Sequence, residues 1–359
     1  MGTTAVRVTA GPGGTRCLMA AVVRTEELRR LSLAALRILG VAGAYYAGAW
    51  FGLQKEVIRA DATGISPLWP STGISVAALL LLGPGVWPGI TLGAFANITT
   101  LGSMGGVQLV VLAGNTLGPV SSLLLLRRVG FRTELDRLRD GVALVFLGGL
   151  AGTLVSATMG SVVLLVGNEL PVGFWTAWLA WWTGDAMGVL LVTPFLLLLC
   201  RLRLPLRFHR WAEASALVVT TAVVTRLATV TPFTLLFLVF PVLIWAALRF
   251  HLAGSAPFAL LVSLRAVWET TSPTGAFAHH TLLERMISIQ AFNGSLALTS
   301  LLLTATVTEQ KNIHMKIEEA CETLAEVVDQ LAPGEWTKLR LRNRDREWER
   351  EREREKRGL

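Results

Sequence analysis

Long apolar runs separated by short polar gaps dominate the chain, and the gaps mark where helices should begin and end. The runs are Leu31–Leu53, Leu68–Leu82, Val86–Leu101, Val107–Leu126, Val142–Val166, Phe174–Cys200, Ala212–Val230, Pro232–Phe250, Ala253–Thr270 and Met286–Val307. A helix crossing a bilayer needs ~20 mostly apolar residues, and most of these runs approach or exceed that length. Leu68–Leu82 and Val86–Leu101 are short and are joined by Gly83-Pro84-Gly85, which predicts a tight hairpin. Thr231-Pro232 divides the seventh run from the eighth, since proline removes a helical donor and clashes with the preceding turn. The pattern predicts an all-α polytopic transmembrane helix bundle of about ten spans, or about eight.

After the last run the period changes. Ile313, Ile317, Ala320, Leu324, Val327 and Leu331 are spaced 4, 3, 4, 3 and 4 apart, an a/d heptad seam with Ile317, Leu324 and Leu331 at a. This predicts a short C-terminal coiled-coil helix and a homodimer, ended by Pro333-Gly334. Alternating Arg and Glu follow, a solvated charged tail. The expected organisation is a cytosolic tail at 1–30, a membrane domain at 31–308, the coiled-coil helix at 309–332 and the charged tail at 333–359.

Composition agrees. The chain is 52% apolar and only 16% charged, against about 25% charged in an average soluble domain. The net charge of +8 comes from arginines flanking the runs, so nucleic acid is not needed to explain it. Arg24, Arg29 and Arg30, then Arg127, Arg128, Arg132, Arg137 and Arg139, then Arg201, Arg203, Arg207 and Arg210, and finally Arg249 all fall on one side if ten spans alternate. By the positive-inside rule that side is the cytosol, with both termini. Arginine greatly outnumbers lysine, as in GC-rich bacterial genomes, so a bacterial inner (plasma) membrane is the expected location. Cys17, Cys200 and Cys321 suggest neither a disulfide framework nor a metal cluster.

The candidate chemistry centres on Asp185, about 16 Å inside the start of its run at the helical rise and thus near the middle of a ~30 Å core. A carboxylate at that depth needs a partner in the bundle interior. Trp178, Trp181 and Trp182 lie one and two turns above it, and Gly184/Gly188 let another helix approach. Similar pairs occur at Gly48/Gly52, Gly89/Gly93, Gly102/Gly106, Gly114/Gly118 and Gly148/Gly152. In the stretch Leu68-Trp69-Pro70-Ser71-Thr72-Gly73, the prolines delay the helix to residue 70, and Ser71 or Thr72 is a candidate cap. Trp50, Trp69, Trp87, Trp175, Trp211 and Trp268 fall at run ends, as an aromatic belt would. Arg265 and Glu269 are placed for an ion pair. No His/Asp/Glu cluster or nucleophile pair stands out, so no catalytic residue, metal ligand or cofactor is expected.

Four stretches together carry a resemblance. Ser66–Leu82, Trp87–Asn97, Gly114–Leu117 with Arg127/Arg128, and Phe174–Pro194 resemble, in this order, the first membrane-associated sensor family (MASE, type one). The family is an integral membrane input module of bacterial signalling proteins. Its likeness implies that Asp185, Trp178, Trp181, Trp182, Trp69, Pro70, Thr72, Gly73 and Asn115 are candidates for sensing a signal or ligand. Gly118 stands where the pattern has an acidic residue, and Gly83-Pro84-Gly85 replaces a basic turn. Such modules normally precede a kinase, cyclase, phosphodiesterase or phosphatase domain. Too few residues follow Val307 for one, so signalling through the coiled coil to a cytosolic kinase, cyclase or phosphatase in trans is expected. The competing reading is a small-solute or ion transporter built around Asp185.

Overall fold

The computed structural model describes residues 12–54, 58–60, 63–170, 172–201, 211–230, 236–270 and 282–331. The chain divides into two units, Met1–Thr306 and Val307–Leu359. Its helices are α1 (Pro12–Leu53), α2 (Pro70–Leu82), α3 (Trp87–Leu101), α4 (Gly106–Arg128), α5 (Leu138–Val166), α6 (Phe174–Leu199), α7 (Trp211–Val230), α8 (Leu236–Phe250), α9 (Leu252–Thr270) and α10 (Leu282–Leu331). Between α1 and α2, Ile58–Ala60 and Thr63–Ile65 form a short antiparallel hairpin, the one departure from an all-helical fold among the described residues. Five segments are long and apolar enough to cross a membrane: Arg29–Leu53, Gly106–Arg128, Leu138–Val166, Phe174–Leu199 and Glu284–Val328. The shorter apolar helices are α2 and α8. Helix α1 already begins at Pro12, inside the segment expected as a tail.

The small-residue pairs explain how α1 to α4 come together. A Cβ on Gly89 would sit 2.5 Å from the Ile38 carbonyl, and one on Gly93 would sit 2.7 Å from that of Ala42. Helices α1 and α3 therefore meet backbone to backbone, and Val41, Tyr45 and Ala49 of α1 pack with Leu79, Ile90 and Ala94 beside them. Gly152 of α5 meets Ser122 of α4 just as tightly. Gly106, in contrast, has open space around it, so Gly102/Gly106 is not a packing pair.

Two helices contain widened π turns, Leu144–Ala151 in α5 and Gly188–Val192 in α6. The second precedes Pro194, whose ring would clash with the carbonyl four residues back; widening the turn makes room for it. The first contains Gly148-Gly149, a weak point for regular winding. Further along, His251 takes a left-handed φ of 52°, reversing the chain between α8 and α9. The Arg265–Glu269 pair forms as expected, at 2.5 Å.

The outward faces are apolar: Leu36, Leu92, Leu109, Phe146, Leu165 and Leu261 are all exposed. A surface of this kind is unsuited to water and suited to lipid. Trp50, Trp87, Trp175 and Trp268 are exposed near helix ends, whereas Trp69 turns inward and Trp211 has no described side chain. In the second unit, the seam residues Ile313, Ile317, Ala320, Leu324 and Val327 are exposed along α10; the side chain of Leu331 and the charged tail lie outside the described residues. The Thr231-Pro232 break lies outside them too.

Candidate functional site

The site is built where the chain enters α2. Ser66-Pro67-Leu68-Trp69 is not helical and runs across α6 in direct backbone contact. The Trp69 amide donates to the Gly184 carbonyl at 3.1 Å. A Cβ on Gly184 would lie 2.3 Å from the Ser66 carbonyl oxygen, and one on Gly188 would lie 2.0 Å from that of Trp69. The Gly184/Gly188 pair thus receives the extended segment and, at Gly188, the first turn of α2. Gly73, one turn into α2, is pressed on the Gly188 carbonyl in the same way, and Thr193 donates to the Gly73 carbonyl at 2.9 Å.

This docking seats Asp185, which is 1% exposed. Thr72 of α2 donates to Asp185 Oδ1 at 2.6 Å, and Ser156 of α5 donates to Oδ2 at 2.5 Å. The Trp181 side chain lies beside it on the same cavity wall. Each carboxylate oxygen accepts a hydroxyl donor from a different neighbouring helix, which is how a buried acid is tolerated. Neither Ser71 nor Thr72 caps α2: its N-cap, Trp69, makes no side-chain cap bond, and Ser71 donates instead to the Tyr45 carbonyl at 3.0 Å. Those hydroxyls bind neighbouring helices because Pro70 leaves one fewer amide in the first turn to satisfy.

A small cavity of about 30 Å³ opens beside the carboxylate, lined by Ser66, Trp69, Asn97, Asn115, Trp181 and Asp185 with Ile65, Ile98, Leu101 and Val111. That space accommodates a few atoms rather than a sugar or nucleotide. The structure thus brings Trp69, Asn115, Trp181 and Asp185 onto one cavity, with Pro70, Thr72 and Gly73 immediately behind. It does not bring Trp178 and Trp182 there. Their rings stack on each other at 5.5 Å and their indoles donate to Thr158 Oγ1 at 3.1 Å and the Leu150 carbonyl at 2.8 Å. Helical spacing places all three tryptophans above Asp185 but does not say that two of them turn toward α5.

Sequence reasoning missed Ser156, Ser66 and Tyr45 and did not single out Asn97. Gly118 lies against Ser156; a Cβ at 118 would be 3.0 Å from the Ser156 Cβ. The position that departs from the family pattern is therefore one side chain away from Asp185. Gln290 of α10 joins the site from a distant part of the chain. Its amide donates to the Pro67 carbonyl at 3.0 Å, fastening α10 to the segment that docks on α6. Among the described residues there is no cluster of three or more His, Cys, Asp or Glu side chains able to hold a metal.

A MASE1 family model matches residues 38–311. The chain belongs to the MASE1 family. MASE1 is a membrane sensory domain of signalling proteins, so this is a multi-pass membrane protein with a sensory module. No curated protein and no solved structure matches the chain. The MASE1 match contains every lining residue of the cavity, and the heptad seam lies beyond its end.

Proposed function

We propose that this MASE1 protein is a bacterial plasma-membrane sensor whose input site is the Asp185 cavity. A small polar ligand entering between Trp69, Asn97, Asn115 and Trp181 competes for the donors that hold Asp185. Because Thr72 and the Ser66–Trp69 segment are fixed to the same carboxylate helix, repartnering there moves the segment. Helix α10 follows through Gln290, and its unbroken course to Leu331 carries the change to a dimeric coiled coil. The dimer then acts on a cytosolic kinase, cyclase or phosphatase in trans.

The observation that carries this reading is the Gln290–Pro67 hydrogen bond, which joins residues 223 apart in sequence. It supports coupling because the amide sits on the helix with the heptads and its acceptor sits on the segment pressed against Gly184. The test is Gln290→Leu, which keeps volume and removes the donor. Membrane abundance and ligand protection of the cavity should persist while the stimulus response, read as dimer crosslinking at Cys321, is lost. An unchanged response would remove α10 from the route.

A further inference from the structure

A second cavity shares no lining residue with the site above. It is a groove of about 750 Å³ between α7 and α9, walled by Leu217, Val218, Ala222, Pro257, Phe258 and Leu261 among others, with Arg226 and Arg265 also lining it. The two arginines sit at one end. Arg249 at the end of α8 pairs with Glu213 at the start of α7 at 2.6 Å, and His251 then reverses the chain into α9. Helices α7 and α9 therefore start side by side and run in the same direction, so Arg226 and Arg265, each far along its helix, share a depth. From Ala214 to Arg226 the groove wall is about 18 Å long at the helical rise, close to the thickness of one leaflet of a ~30 Å core.

An apolar groove open to hydrocarbon fills with acyl chain, so its chemistry is decided at the charged end. There Arg265 is paired with Glu269 at 2.5 Å, whereas Arg226 makes no hydrogen bond or ion pair with any described residue. Two guanidiniums and one carboxylate leave one positive charge, the complement of one phosphodiester. A guanidinium facing an apolar groove requires a partner. Arginine also offers paired donors that match phosphate oxygens. We propose that this groove binds one anionic glycerophospholipid, with its phosphate on Arg226 and Arg265 and an acyl chain along Leu217, Val218, Ala222 and Leu261. The site is independent of the sensing reading.

The full chain, reconstituted with either phosphatidylglycerol or phosphatidylcholine of the same chain length and released into detergent for native mass spectrometry, tests this. One phosphatidylglycerol should remain bound and phosphatidylcholine should be lost. Arg226→Gln should weaken retention about tenfold or more, with Arg226→Lys between the two. Ala222→Phe leaves both arginines and plugs the trough, and should release the lipid while circular dichroism shows unchanged helix content. Equal retention of the two lipids, or retention indifferent to both Arg226→Gln and Ala222→Phe, overturns the proposal. So does a lipid-free groove closed by a second copy, seen as crosslinks from α7 to α7 or α9.

Discussion

At the scale of single residues, Asp185 is the test case, because its carboxylate takes hydroxyl donors from Thr72 and Ser156 rather than an arginine. Asp185→Asn keeps size and hydrogen bonding and removes the charge, so membrane abundance should stay normal with the dimer locked in one state. Equal abundance together with an unchanged response would take Asp185 out of the site. Ser156→Ala removes one donor to a charged acceptor, and should cost about 1.5–3 kcal/mol, read as a lower unfolding temperature in detergent. Outside the membrane, the Arg201 guanidinium hydrogen-bonded to Glu134 holds that carboxyl below the usual carboxylate range. A depressed folded value means that the pair's contribution is present above the unfolded carboxylate pKa, about 4.3, and is lost as pH falls through the lower folded value. Both side chains are well exposed, so the effect is small. Hydrogen exchange in the 130–137 loop should accelerate only under that acidification, and Arg201→Gln should abolish the pH dependence.

At the scale of elements, backbone contact decides where α2 sits. Gly188→Ala would put a methyl 2.0 Å from the Trp69 carbonyl, and no side chain can give way because the obstacle is backbone. It should largely prevent accumulation of folded protein. Gly40→Ala, with open space around it, should be neutral or stabilise by up to about 1 kcal/mol through helix propensity. Equal behaviour of the two variants in a detergent melt would refute the docking geometry. The sequence made Gly184/Gly188 visible as a close-approach pair, and the hydropathy pattern located α4, α5 and α6 to within a few residues. It did not foresee that the approaching element is the extended Ser66–Trp69 stretch, because small residues announce proximity without naming what comes near.

At the scale of the whole molecule, the expectation is two chains in parallel with both termini in the cytosol. Reporter fusions after Arg128, Arg203 and Leu359 should be active in the cytosol, and fusions after Asp61, Asn168 and Ala278 should be exported; an exported C-terminus would reverse the direction of signalling. In a Cys17→Ser, Cys200→Ser background, oxidant should trap a Cys321–Cys321 dimer, since that exposed position flanks the seam and a disulfide needs Cα atoms within about 7 Å. Leu324, 66% exposed on the single chain, should be covered in the dimer, and Leu324→Asp should weaken crosslinking by burying a charge. Crosslinking indifferent to that change would leave the heptads as a solvated helix.

The sequence alone determined that this is a helical membrane protein, where most helices lie, that Asp185 is an acid inside the bundle, and which glycines allow close approach. These follow from local quantities: run length, period and the cost of polar groups in hydrocarbon. Tertiary structure decided the rest. Hydropathy fixes a helix and its depth but leaves its rotation and neighbours open, so it could not separate Trp181 from Trp178 and Trp182. Nor could it pair Thr72 with Asp185 across 113 residues or Gln290 with Pro67 across 223. Those pairs exist because Gly73, Gly184 and Gly188 let backbones touch, and only packed coordinates express which backbones those are.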